Sequence, residues 1–97
     1  MRSIIIEPIA QDNIIAICDF VESKNTEGSG DRFYVKFLDF IESYAPLSNL
    51  KFPLCRNKDL AKRKWSCIIF QQVWVIAFSY TATEITIQRV ILGSNLR

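Results

Sequence analysis

Apolar and polar positions divide the chain into a helical first half and an extended last third. From Ile9 to Asn25 (IAQDNIIAICDFVESKN) apolar side chains recur at Ile14, Ile17, Cys18 and Val21, with Asp12, Asp19 and Glu22 turned elsewhere. That spacing predicts an amphipathic helix. A second stripe, Phe33, Phe37, Phe40, Ile41 and Tyr44, predicts a second helix, stopped by Pro46. The connector Thr26 to Gly30 holds two glycines, and Ser29 or Asp31 is the candidate cap of the second helix. A connector this short predicts an antiparallel helix pair. Ahead of both helices, Ser3 to Glu7 is an Ile-rich strand candidate. Pro8 ends it and suits a first helical turn, where a missing N–H costs nothing.

The last third reads WSCIIF, QQ, VWVIAFSY, TAT and EITIQRVILGSN, from Trp65 to Asn95. Three β-branched and aromatic runs with two short connectors predict two consecutive hairpins. In the middle run Val73, Val75 and Ala77 share one face, and Trp74, Ile76, Phe78 and Tyr80 the other. Both faces are apolar, although two helices can cover only one, so the pattern implies a partner on the second. Strict alternation in the last run puts Arg89 beside Ile85, Ile87 and Ile91. There its charge would require a carboxylate, from Glu84 or a helix. Pro46 to Lys64, with Pro53, two asparagines and six bases, fits neither period and is expected to be an irregular loop. The element order is therefore β-α-α-β-β-β. The chain is one α+β domain, 1–97, a helical hairpin on a small, mostly antiparallel sheet.

Charge sharpens this picture. The net charge is only +2, but residues 1–50 hold eight acids and four bases, and residues 51–97 two acids and eight bases. The second half is therefore suited to an acidic partner. Lys51, Arg56, Lys58, Lys62, Arg63 and Lys64 face a single acid, Asp59. A cluster of this kind serves either as a solvated loop or as a contact surface for nucleic acid or acidic protein. Trp65 at its edge is the one candidate for base stacking. Trp65 and Trp74 otherwise read as core. Cys18, Cys55 and Cys67 are odd in number and lack metal-ligand spacing, so three reduced thiols and no bound metal or cofactor are expected. No run reaches about 18 apolar residues, so no membrane span is expected.

The run WVIAFSYTATEITIQRVILGSN is similar to the terminal hairpin of the RelE/ParE superfamily of bacterial toxins: an aromatic-rich strand, a short turn, an alternating strand, an Arg-Val pair and an exit glycine. The opening IIIEPIAQDNIIAICDFVE resembles that family's first strand, Glu-Pro step and first helix, with Phe20-Val21 where relatives carry Tyr/Trp-Ile/Val. RFYVKFLDFIE resembles its second helix. The resemblance spans nearly the whole chain and is weakest over 46–64. It implies a cytoplasmic toxin of a plasmid-stabilisation or other type II toxin–antitoxin module. Its cognate antitoxin would neutralise it in a hetero-oligomer.

Departures bear on mechanism. RelE-type members cleave ribosome-bound mRNA with Arg, Lys, and often a late Tyr or His. This chain has no histidine. It has Ser79 where many relatives carry Arg, Leu92 where His is common before the exit glycine, and Asn95 where Arg is common after it. ParE-type members share the fold, lack the nuclease residues and inhibit DNA gyrase. The expectation is therefore a ParE-like gyrase inhibitor, with mRNA cleavage second and a degenerate, non-toxic antitoxin-binding module third. A nuclease would be metal-independent and would draw on Lys62, Arg63, Lys64, Tyr80 and Arg89, because RNA cleavage needs a proton acceptor and positive charge at the phosphate. The candidate binding residues are Lys51, Arg56, Lys58, Lys62, Arg63, Lys64, Trp65, Trp74, Arg89 and Arg97.

Overall fold

Pro8 separates the first strand from the first helix, as its fixed φ and missing N–H require. The structure is a computed structural model describing residues 2–46 and 52–93. Its elements are β1 (Ser3–Ile6), α1 (Pro8–Lys24), α2 (Ser29–Glu42), α3 (Lys58–Lys62), β2 (Ser66–Phe70), β3 (Trp74–Tyr80) and β4 (Glu84–Leu92). The expected order is present, with α3 as a short addition inside the stretch expected to be irregular. The class is α+β: two helices against a four-stranded mixed sheet of order β1-β4-β3-β2. β1 runs parallel to β4, from Ser3 opposite Glu84 to Ile6 opposite Ile87, and the other two pairings are antiparallel.

Each hairpin has its own turn chemistry. Gln71 and Gln72 both have positive φ, 53° and 62°. That is the mirror-image turn whose twist matches the strands. At the second turn, Thr81 Oγ1 accepts from the amides of Thr83 and Glu84, 3.2 and 3.1 Å away. This local bond holds a turn that contains no glycine.

The main core lies between the helices and one face of the sheet. Ala10, Ile14 and Ile17 from α1 and Phe33, Phe37 and Ile41 from α2 meet Phe70, Ile76, Phe78, Ile85, Ile87 and Val90. Both predicted helical stripes therefore face the sheet. Phe37 packs edge-on to Phe70 at 5.7 Å, and Phe33 does so to Trp74 at 6.2 Å, the favoured geometry for aromatic pairs.

The two helices approach closely at Gly30. A Cβ there would stand 2.7 Å from the Cys18 carbonyl oxygen. The expected caps, Ser29 and Asp31, are replaced by a cap from the neighbouring helix. The Glu22 carboxylate accepts the N–H groups of Gly30 and Gly28, each at 2.7 Å. Those amides, Gly30 first, and the nearby Arg32 hold the Glu22 carboxyl below the ordinary glutamate range.

One irregularity changes the expected faces. A bulge lies where Ala77 pairs with Arg89 but Phe78 pairs with Ile87, leaving Gln88 as the extra residue. Alternation therefore slips by one. Ile85, Ile87 and Val90 face the helices, whereas Arg89 and Ile91, opposite Ala77 and Val75, take the far face. This corrects the grouping of Arg89 with the isoleucines. Beyond Ile87, β4 has no β1 neighbour, and Asn13 Oδ1 of α1 accepts the Val90 N–H at 3.1 Å.

Cys55 and Cys67 form a disulfide, with Cα atoms 5.0 Å apart, and Cys18 is the free thiol. This corrects the expectation of three reduced thiols. Cys67 stands opposite Ala77 on the far face, and the chain ahead of β2 carries Cys55 over it. Closing a loop of this length stabilises the fold by about 3 kcal/mol on the chain-entropy argument.

Candidate binding surface

The far face gains its cover from residues 52–65. Phe52 remains on the helix side, where its ring meets Phe78 at 5.0 Å and Tyr80 at 5.1 Å. Leu54 then bridges to Ser66 at the β2 edge, and Cys55 donates its N–H to the Trp65 carbonyl at 2.9 Å. The chain thus turns around the sheet edge and places Cys55, Leu60 and Trp65 on Ala77 and Cys67, forming a second, smaller core. The far face is therefore partly covered by the chain itself, not open along its length as the two-sided apolar pattern implied.

α3 is short, yet both its ends are specified. Asn57 Oδ1 accepts the amides of Asp59 and Leu60, at 3.0 and 3.2 Å, an N-cap. At the other end the Trp65 amide donates to the Leu60 carbonyl and the Lys64 amide to the Ala61 carbonyl. Lys64 has φ 60°. These are the two bonds of a Schellman motif, with Lys64 at the left-handed position that glycine usually fills. The motif brings Trp65 onto Leu60, its usual hydrophobic contact, and so fixes the indole.

Two guanidinium groups lie against that indole, Arg63 at 5.0 Å and Arg89 at 5.2 Å from the ring. Arg89 Nη1 also donates to the Gln88 carbonyl at 2.6 Å. The aromatic ring and a backbone oxygen therefore take the place of the carboxylate expected for Arg89. Arg56, Lys58, Lys62, Arg63 and Lys64 are all exposed around this small core. Beside them a groove of about 250 Å³ is lined by Pro53, Leu54, Ile69, Val75, the two bonded cysteines, Arg56 and Asn57. Ile69, Leu54 and Val73 are 62%, 56% and 44% exposed. Bases and bare apolar surface thus lie side by side at the β2 end of the sheet.

Other sequence candidates lie elsewhere. Trp74 faces the helices and packs on Phe33. Tyr80 also faces the helices. Its hydroxyl accepts the Phe52 N–H at 2.9 Å and lies 3.3 Å from the Phe52 carbonyl oxygen. The Arg2 guanidinium lies 4.9 Å from the Tyr80 ring, and Arg2 Nε donates to the Thr81 carbonyl at 2.8 Å. Tyr80 therefore belongs to an anchoring cluster remote from Arg63 and Arg89 in role, with its hydroxyl committed to the backbone. Lys51 and Arg97 lie outside the described residues, as does Asn95.

Sequence reasoning missed α3, the disulfide and buried Arg2. The signal for α3 was present in Asn57-Lys58-Asp59-Leu60, a cap followed by helix formers. Among the described residues no cluster of His, Cys, Asp and Glu could hold a metal ion, and no helix is long and apolar enough to cross a membrane. No protein-family model and no curated protein matches the chain.

Proposed function

We propose that this chain is a RelE/ParE-like toxin of a type II toxin–antitoxin module. It acts in the cytoplasm by binding an essential target, DNA gyrase first, and a cognate antitoxin neutralises it. One observation carries the reading: the far face joins exposed apolar residues to a basic rim, on an α+β domain whose β-α-α-β-β-β element order is the one that the sequence resemblance implies. Such a surface takes a partner with apolar anchors and carboxylates, which describes an acidic amphipathic segment. Binding is favoured over cutting because Tyr80, the candidate for proton transfer, is committed to the backbone, and two of the four candidate cations lie on an indole while Lys62 and Lys64 stay exposed. Tyr80 bonds the Phe52 backbone, and Arg63 and Arg89 lie on Trp65.

A supercoiling assay with purified gyrase, run beside primer extension on translated mRNA, tests the reading. Loss of supercoiling with intact mRNA is the expected result. Codon-linked cuts in the ribosomal A site, lost on Arg63→Ala or Lys64→Ala, would establish the nuclease alternative. Silence in both assays with tight antitoxin binding would leave a non-toxic binding module. For the antitoxin itself, reversing Lys62, Arg63 and Lys64 to Glu should slow association more than it speeds dissociation. The difference should shrink near 1 M salt, where the Debye length falls to about 3 Å.

A further inference from the structure

We infer that the Cys55–Cys67 disulfide is a thiol–disulfide exchange site, addressed by dithiol reductants, that sets the order of the basic surface without governing the fold. Three features converge on this. First, the bond can be approached from the Cys67 side: both cysteines line the groove beside Arg56, and Cys67 is only partly buried whereas Cys55 is buried. An attacking thiolate would enter next to a guanidinium, which favours its charged form. Second, the residues between the two cysteines include Arg56, Lys58, Lys62, Arg63, Lys64 and Trp65, so the bond clips the cluster that gives this face its charge. Third, neither cysteine belongs to the core between helices and sheet.

The exchange balances with the dithiol as the sole co-reactant. Its thiolate attacks Cys67 Sγ, and Cys55 leaves as a thiolate that takes a proton. The reductant's second thiolate then displaces Cys67, which is protonated in turn. Two electrons and two protons pass to the chain, and the reductant closes its own disulfide. Cys18 does not serve as an internal substitute. It lies on α1, and burial, with Asp19 and Asp31 nearby, pushes its thiol up and away from thiolate.

What the bond restrains follows from what remains once it opens. The neck keeps the Leu54–Ser66 bridge, the Cys55 N–H on the Trp65 carbonyl, and Ser66 Oγ on the Phe52 carbonyl at 3.3 Å. Above that neck stands one five-residue helix, too short to persist on its own and left after reduction with its caps and the small contact of Leu60 and Trp65 on Ala77. Reduction therefore loosens 56–64 locally and leaves the sheet intact. The oxidised form presents its bases pre-ordered, and the reduced form must order them on binding. That consequence for a target or antitoxin rests on the function proposed above, whereas the exchange itself does not.

The test uses the full wild-type chain under native conditions, with and without dithiothreitol. Iodoacetamide labelling read by mass and hydrogen exchange read by peptide are the measurements. Cys55 and Cys67 should label only after dithiothreitol, with no denaturant, and equally so in Cys18→Ser. Amides of 58–64 should then exchange roughly tenfold or more faster, while those of α1, α2 and β3 stay protected. Three results would each overturn the inference: cysteines that react only in denaturant, 58–64 as protected after reduction as before, or protection lost across the whole chain. Neither measurement depends on toxicity, so failure of the functional reading remains distinguishable from failure of this one.

Discussion

On the helix side of the sheet, Phe37, Ile76 and Ile87 are fully buried, and two helices of 17 and 14 residues supply the cover. On the far side a five-residue helix does so, over Ala77 and a disulfide, and Ile69 remains 62% exposed. The first face is held by area. The second is held by local devices: an Asn cap, a Schellman turn, a cross-link and two cations on an indole. The difference teaches which face has surface to offer a partner: the one that lacks area for a core of its own.

Truncation should separate the two faces most strongly. Phe37→Ala is expected to cost about 3–5 kcal/mol, as for a buried aromatic among partners that cannot collapse. Leu60→Ala, in the smaller core, should cost about 2 kcal/mol, at the low end for a buried leucine because few side chains surround it. Urea denaturation of both variants measures the contrast. Equal losses would mean that the far face is as tightly packed as the helix side.

The helix pair gives the next largest effect. Gly30→Ala places a methyl group against the Cys18 carbonyl, where backbone and not a flexible side chain must yield. A loss of about 1–3 kcal/mol is expected, read as a lowered thermal midpoint. A neutral result would show that α1 and α2 can separate freely.

The helix side was largely legible in the sequence. Ile14, Ile17, Phe33, Phe37 and Ile41 follow a 3.6-residue period that only a helix on a core satisfies, and Val73 to Tyr80 is a short β-branched and aromatic run bounded by turn-length connectors, as a strand is. The far face was not, for physical reasons. Arg89 changes sides because of one extra residue at Gln88, and no propensity marks a bulge that a distant Asn13 stabilises. Glu22 caps α2 from another helix, a pairing set by the approach at Gly30. Cys55 and Cys67 meet only because residues 52–55 round the sheet edge, so their spacing announced nothing. The basic cluster was found as composition. Its union with Trp65 and Arg89 is tertiary.

Acid provides a gentler probe of the helix side. Glu22 is held below its ordinary value of 4.5 by the Gly30 and Gly28 amides. A depressed carboxyl contributes stability above its unfolded value and loses it as pH falls through the folded one. The wild-type urea midpoint should therefore drop between about pH 5 and pH 3. Glu22→Gln should start lower at neutral pH and change less over the same window. Parallel profiles for the two proteins would remove Glu22 from the account.

The smallest expected effect sits on the far face and has the opposite sign. Lys64 adopts φ 60° at the end of α3, where a side chain crowds the backbone and glycine does not. Lys64→Gly removes that strain. It also gives the unfolded chain more freedom, which offsets part of the gain. A net stabilisation of about 0.5–1 kcal/mol is expected, seen as a raised denaturation midpoint and slower hydrogen exchange over 58–63. The same substitution deletes one positive charge from the rim. It therefore makes the surface better ordered and less basic at once, which separates the two contributions to partner binding. If order matters more, Lys64→Gly binds the proposed antitoxin at least as well as wild type at high salt. If charge matters more, association slows at low salt although the loop is firmer. A destabilised Lys64→Gly protein would mean that the strain at this φ is smaller than the freedom glycine gives the unfolded chain, and the order of 58–63 would then rest on the Asn57 cap, the Leu60–Trp65 contact and the disulfide.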